Sequence, residues 1–393
     1  MSRDEIPAYV EAASSAFHND ASEEVHERWQ RVLEPERTLV VRDRGRIVAG
    51  TGIFSRRLTV PGGEVPVAGV TLVGVRPTHR RRGLLTTLMR RQLADVRDEG
   101  REAVAALWAS EPVIYGRFGY GLATLAARLE VNTRQARLRR TSDAQVELLA
   151  PGDALDAMRP PHEAVRTAVP GMLGREGPWW EDRLRDPEVA RDGAQPLRAA
   201  VTEDAYALFA VKPRFSYEGP AGEVLVREVM AATDEGLAAI WGFLIGLDLT
   251  IRLTWDLAAA DDPLPHMLAD AHDVRVRITD GLWVRVVDVP RALAERSYAQ
   301  PFEVVLEVAD EVCPWNAGRW ALRWDGSTAM CARTAIPADL ELGAAELGAA
   351  YLGGLTLEQL ARAGRVRELR SEALAAASRG FQGARAPWCP EIF

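Results

Sequence analysis

Val73-Gly74-Val75-Arg76-Pro77-Thr78-His79-Arg80-Arg81-Arg82-Gly83-Leu84-Leu85 joins a β-rich run to a helical one through a basic turn, and its neighbours decide the fold. Upstream, Thr38 to Arg42, Arg46 to Phe54 and Val67 to Val75 are separated by the turn signals Asp43-Arg44-Gly45 and Pro61-Gly62-Gly63. That spacing predicts three neighbouring antiparallel strands. Downstream, Leu85, Met89, Leu93 and Val96 recur at helical spacing, so a helix of about 15 residues begins near Gly83 and ends at Glu99-Gly100. Ala103 to Trp108 then reads as a buried strand, Ser110 to Gly121 as a glycine-punctuated segment with a short helix, and Ala123 to Val131 as a further strand. With Ile6 to Val32 read as one or two helices, the unit is a layered α/β or α+β one.

The basic turn also carries chemistry. It puts the free N–H groups and positive dipole end of the helix beside Arg80 and Arg81, an arrangement that binds phosphates. Gly83 lets the backbone approach a pyrophosphate without a Cβ in the way, and the arginines supply charge-assisted hydrogen bonds. Neither GK(S/T) nor GxGxxG is present, which excludes the Walker and dinucleotide readings.

At 393 residues the chain is long enough for two or three domains. The polar stretch from Asn132 to Gly152 marks a first boundary, after which the order repeats: strands Leu197 to Val201, Ala205 to Val211 and Glu223 to Ala232, a helix from Leu237 to Leu249, and a strand from Thr250 to Trp255. That order suggests a diverged duplication. No basic RxxGxG-like loop precedes the second helix, so no nucleotide is expected there; Trp179 and Trp180 are candidates for a pocket wall. A third unit is expected to open with Leu282 to Val289 and to contain a hairpin about Asp325-Gly326. The last residues, Ala386-Pro387-Trp388-Cys389-Pro390-Glu391-Ile392-Phe393, are stiff and apolar, unlike a fraying tail.

Composition excludes several classes. Apolar residues at 47% and charged residues at 26% are those of a globular chain, and a formal charge of −8 gives no footprint for nucleic acid. Cys313, Cys331 and Cys389 form no CxxC pair and the histidines show no ligand spacing, so no metal is expected. No membrane-spanning run or signal peptide is evident, and a cytoplasmic location is expected.

The spacing Arg80-x-x-Gly83-x-Leu85 resembles the (Q/R)xxGx(G/A) signature of GNAT N-acetyltransferases, Leu85 departing at the last position. PTHRRRGLL at 77–85, ASEPVIYGRFGYG at 109–121, DPLPHMLAD at 262–270 and DGLWVRVVDVPRAL at 280–293 together resemble the Eis (enhanced intracellular survival) family of acetyltransferases. The resemblance implies two tandem GNAT-like domains, the second degenerate, followed by a sterol-carrier-protein-like α+β domain, at 1–135, 136–281 and 282–393. It also implies acetyl-CoA as cosubstrate, held by the backbone at Val73 and Val75, by Arg80 and Arg81, by the amides of Gly83, Leu84 and Leu85, and by Ser110. Tyr115 falls on the family's general acid, and Phe393 on the residue whose terminal carboxylate is the general base.

Phe17, Asn19, Trp29 and Glu391 fall at or beside its amine-pocket positions, Asn19 where an aspartate is expected and Glu391 one place from the family's glutamate. The implied reaction is direct acetylation of primary amines, aminoglycoside-like or other polyamine acceptors or a lysine side chain, by a homo-oligomer, a hexamer in the family. A CoA- or lipid-binding carrier without turnover is the alternative reading.

Overall fold

Strands form where the β-rich runs and turn signals predict them and run further than their most apolar parts. In a computed structural model, which describes residues 1–217 and 219–393, β1 (Leu39–Asp43), β2 (Arg46–Val60) and β3 (Gly63–Val75) are antiparallel neighbours. β2 and β3 continue to the Pro61-Gly62 turn, where Gly62 adopts φ +84°, a left-handed conformation that glycine takes without strain. Helices α1 (Ile6–Ala16) and α2 (Glu23–Val32) bury Tyr9, Val10 and Trp29 against Ile47 and Phe54 of this sheet. Helix α3 (Leu84–Glu99) packs Met89, Leu93 and Val96 on Val70, Ala105 and Leu107. β4 (Val104–Trp108) then joins β3 in parallel, followed by α4 (Pro112–Gly116), β5 (Gly121–Leu122) and β6 (Leu125–Asn132).

The next elements repeat that order. They are β7 (Glu147–Leu149), α5 (Leu155–Ala168), α6 (Pro178–Leu184), β8 (Arg198–Val201), β9 (Ala205–Lys212), the small hairpin β10 (Phe215–Ser216) and β11 (Gly219–Pro220), β12 (Gly222–Ala231), α7 (Asp234–Ile245), β13 (Thr250–Ala259), α8 (Leu264–Met267), β14 (Val274–Asp280) and β15 (Leu282–Val286). Two strands leave the units that the sequence assigned them to. β6, read as part of the first unit, lies in the second sheet, whose order is β14-β6-β13-β12-β9-β8-β7; β15, read as the start of the third, lies in the first sheet between β4 and β5.

The physical reason is one ribbon. β5–β6 and β14–β15 pair antiparallel in a single register, Leu122 facing Trp283 and Leu125 facing Asp280, and the ribbon crosses from one sheet to the other at Thr124 and Gly281. Leu282 N donates to Thr124 Oγ1 at 2.8 Å there, and a Cβ on Gly281 would stand 2.4 Å from the same oxygen. Period-two alternation names a strand but not its partner.

The third unit contains α9 (Val289–Ala294), β16 (Phe302–Ala309), β17 (Gly318–Trp324), β18 (Ala329–Arg333), β19 (Leu340–Gly343), α10 (Ala344–Ala350), α11 (Leu357–Arg362), β20 (Val366–Glu368) and α12 (Ala373–Phe381). Its sheet runs β18-β17-β16-β19-β20, and the Asp325-Gly326 turn joins β17 to β18 as expected. Leu306, Leu322 and Phe381 share one core with Val67 and Val104 of the first sheet. From Gln382 onward the chain has no regular secondary structure and returns across the second unit. Trp388 N donates to Pro170 O and its indole to Leu257 O, each at 2.8 Å, and Cys389 and Glu391 are buried. Among the described residues no helix is long and apolar enough to cross a membrane.

Candidate active site

β3 and β4 pair only where Val67 to Gly69 meet Val104 to Ala106, and diverge beyond. A bulge on β3 sets the divergence: Leu72 and Val73 together oppose Thr51, Leu72 takes φ +48°, and Tyr9 Oη donates to Leu72 O at 2.7 Å. The parted strands open into a cavity of about 690 Å³ lined by Val73, Val75, Arg80, Arg81, Gly83, Leu84, Leu85, Ser110 and Tyr115. Every residue expected to hold the cofactor therefore borders one space.

At its floor α3 begins at Gly83 (φ +77°), with no side chain capping it and no acid in its first turn. The first N–H groups of the helix have no partner within it and face this space with the positive end of the dipole. Arg81, at φ +62°, shares the left-handed turn. Arg80 Nη2 donates to Ala16 O at 2.8 Å, tying the turn to the end of α1, and the His79 ring bridges Thr78 Oγ1 and Asp43 Oδ2.

This space continues into a second cavity of about 380 Å³ through Phe17, Val73, Ser110 and Tyr115, and into a third of about 420 Å³ through Arg28, Trp29, Ile392 and Phe393. Tyr115, near the end of α4, is 5% exposed, with its ring edge-on to Tyr120. Burial pushes its phenol up and a hydrogen bond with Ser110 opposes this, the net direction being upward, so the hydroxyl keeps its proton. Tyr120 is wholly buried, the packing aromatic the sequence suggested. The Phe393 ring lies near the apex of the β3–β4 divergence: a Cβ on Gly69 would come within 3.2 Å of its Cε2, and Phe54 meets it edge-on at 6.4 Å. Trp29 is both wall and core, since it borders two cavities while stacking on Phe54 at 6.0 Å.

Glu391 is gripped two residues before the end. It accepts from Arg175 Nε at 2.5 Å and from Arg56 Nη2 at 2.9 Å. Arg175 also binds Glu228 through both terminal nitrogens, at 2.8 and 2.5 Å, and Arg56 stacks on Trp179 at 3.8 Å. Burial would raise the Glu391 carboxyl, but the Arg175 and Arg56 charges outweigh it and hold it at about 2. Glu228, buried in the same cluster, is held well below its ordinary value mainly by Arg175.

This cluster and Trp388 fill the second sheet where β12 and β13 part after Val226 and Trp255. There α7 is capped by the Thr233 side chain and opens with Asp234 and Glu235, the reverse of the α3 terminus. The second unit therefore holds the tail where the first leaves space.

Asn19 stands apart: it is exposed, its N–H bonded to Ser14 O, and it borders none of the three cavities. Trp179 borders the third cavity, whereas Trp180 packs in the core against His162 and Arg175. Phe54, Arg28, Arg56, Arg175, Arg185, Arg227 and Glu228 had escaped the sequence reading. For Arg56 and Glu228 a signal exists, each falling on the inward parity of its strand, with Phe54 and Leu58 and with Val224 and Val226.

Diverging parallel strands, an uncapped helix terminus at their mouth and a buried tyrosine beside them define an acyltransferase of the GNAT class with an appended third domain. The GNAT acetyltransferase domain matches residues 1–123 and, in a second version, 171–286; the sterol carrier protein domain matches 289–390. The chain is 36% identical over 386 residues to N-acetyltransferase Eis of Mycobacterium tuberculosis, covering 94% of this chain and 93% of that one. It is 45% identical over 383 residues to an uncharacterized N-acetyltransferase of Streptomyces avermitilis, covering 95% and 93%. The crystal structure of Eis1 from Mycobacterium abscessus superposes with a TM-score of 0.86 at 34% identity, over 100% of this chain and 98% of that one. The chain belongs to the Eis family of N-acetyltransferases, with tandem GNAT domains followed by a sterol-carrier-like domain.

Proposed function

We propose that the enzyme transfers the acetyl group of acetyl-CoA to a primary amine by direct attack on the thioester, both substrates being bound together. One observation carries the reading: Tyr115 and Phe393 border the same cavity, at the point where β3 and β4 part. The pyrophosphate binds at the α3 terminus with Arg81 beside it, and the pantetheine arm pairs with the backbone at Val73 and Val75. The amine nitrogen forms a bond to the carbonyl carbon as the C–S bond breaks. The Phe393 carboxylate holds the ammonium and takes its proton through water, and the Tyr115 hydroxyl donates to the departing sulfur.

A phenol of ordinary pKa about 10 gives its proton to a thiolate of about 8.5 uphill by roughly 2 kcal/mol. Because burial raises Tyr115 further, it acts first as a hydrogen-bond donor and yields its proton only as charge builds on sulfur. The working form in this reading is the homo-hexamer that the family resemblance implies, in the cytoplasm that the cysteine usage suggests.

Deleting Phe393, or adding a short Gly-Ser extension beyond it, tests the reading by free-thiol release and calorimetric titration. Turnover is expected to collapse while acetyl-CoA binds with unchanged affinity. Full turnover with the extended tail would remove the carboxylate from the mechanism.

A further inference from the structure

We propose that Arg56 and Glu391 are positioning residues for acetyl transfer, and that the ion pair between them fixes where the Phe393 carboxylate stands. The proposal rests on the reading of Phe393 as the base and adds to it how a base carried on a chain end is held.

Glu391 meets a different unit with each oxygen. Oε2 accepts from Nη2 of Arg56 on β2 at 2.9 Å, and Oε1 accepts from Nε of Arg175, between α5 and α6, at 2.5 Å. Arg56 is 4% exposed, stacks on Trp179 and donates also to Gly174 O at 2.8 Å. Its register places it beside the site: Arg56 faces Val67 and Phe54 faces Gly69, the first and last residues of β3 that pair with β4, and the Phe54 ring meets that of Phe393. With both its oxygens taken, Glu391 acts on the reaction through the tail that it anchors.

Fixing Glu391 shortens the reach of the chain end. Held there, the terminal carboxylate ranges over no more than two residues of extended chain, about 7 Å. The next firm anchor is Trp388, bonded to Pro170 O and Leu257 O, since Pro390 O is met only by Arg183, at 3.5 Å. Held at Trp388 alone, the carboxylate would range over about 17 Å. The volume open to it would grow by about tenfold or more, and its effective concentration beside the acceptor would fall by the same factor.

Stability does not by itself call for an ion pair here. Taking both charges out of water offsets much of their attraction, and apolar side chains of similar volume in place of a buried pair are often neutral or stabilising. Arg56 also leaves Nε and Nη1 buried without an acceptor among the described residues. Two unmet donors are tolerated where the third nitrogen does something specific, and that nitrogen ties the tail to the first unit.

The test follows free-thiol release from acetyl-CoA with hexylamine, spermidine or neamine, whichever the parent turns over fastest, and counts working sites by acetyl-CoA titration. Per bound acetyl-CoA, kcat for Arg56→Gln and for Glu391→Gln is expected to fall by about tenfold or more, with the Kd for acetyl-CoA within about twofold. A merely structural role would lower the number of binding sites and leave kcat per site as it was. Because Arg56 acts through Glu391, the double variant should lose no more than the more impaired single variant, whereas independent roles would multiply. Parent kcat in either single variant, or multiplied losses in the double, would overturn the proposal; if deleting Phe393 still collapsed turnover, the base itself would stand. Should the glutamine variants fail to bind acetyl-CoA, Glu391→Asp keeps both charges and shifts the anchor by about 1.5 Å, one carbon–carbon bond. A misplacement of about 1 Å can cost a hundredfold, so parent kcat in that variant would equally overturn the proposal. Full turnover without Phe393, or none of the three amines acetylated by the parent, would overturn both.

Discussion

Tyr115 is buried and borders a cavity that it shares with the chain terminus, so replacing its hydroxyl alone isolates the proposed proton donation. Tyr115→Phe is expected to lower kcat about a hundredfold, the usual worth of a positioned acid, with the Kd for acetyl-CoA within about twofold. Because burial raises the phenol, parent activity should persist past the ordinary tyrosine range on the alkaline side. An unchanged kcat in the phenylalanine variant would exclude the role. Gly69→Val probes the other partner. The position lies in β3, so the cost is steric: a Cβ there would stand 3.2 Å from the Phe393 ring and 3.4 Å from Phe54 Cβ and O, and turnover is expected to fall by more than the accompanying drop in melting temperature explains, with acetyl-CoA still bound. Residues inside motifs, Tyr115 and Gly83, could be read from the chain. Arg56, bonded to a glutamate 335 positions away, could not, because pairing across that separation leaves only an arginine on the inward parity of a strand.

Two helix termini, α3 and α7, follow equivalent strands and do opposite things, and their sequences say why. Gly83 with no cap and no acid leaves α3 open to an anion; Thr233, Asp234 and Glu235 satisfy α7 internally. Gly83→Ala would meet no neighbour within 4 Å, so its cost is the left-handed backbone alone, about 1–2 kcal/mol, expected as several-fold weaker acetyl-CoA binding in a titration. The bounds of α3 and β4 were legible because the apolar period switches sharply there, while the partners of β6 and β15 were not, since a ladder leaves no mark on period.

The tail is the third element whose behaviour follows from charge. Glu391 titrates at about 2 in the folded chain against an ordinary 4.5, so its clamp contributes fully above about 4.5 and is lost as pH falls toward 2. Melting temperature should therefore drop through that window more steeply in the parent than in Glu391→Gln. The variant itself should be less stable at neutral pH by about 3 kcal/mol, because Arg56 is left buried without its carboxylate. Parallel acid slopes for the two proteins would contradict the clamp.

At the scale of the molecule, none of the three units is complete by itself. The first sheet needs β15 from residues beyond the second unit, the second sheet needs β6 from before it, and the third unit buries its sheet in a core continuous with Val67 and Val104. The proposed base is the last residue of the third unit, its grip comes from Arg175 and Glu228 in the second, and its target space lies in the first. Residues 1–123 expressed alone would therefore expose β4 along the edge that β15 covers and leave Val104 and Ala106 facing water, and they are expected to aggregate. The full chain should unfold in one calorimetric transition whose van't Hoff and calorimetric enthalpies agree, because the shared ribbon and shared core couple every unit to its neighbours. Acetyl-CoA, proposed to bind the first unit alone, should move that whole transition upward, by RT ln(1 + [L]/Kd) at the melting point. Two separated transitions, with only the earlier or only the later one responding to acetyl-CoA, would show that the exchanged strands do not bind the units into one cooperative body.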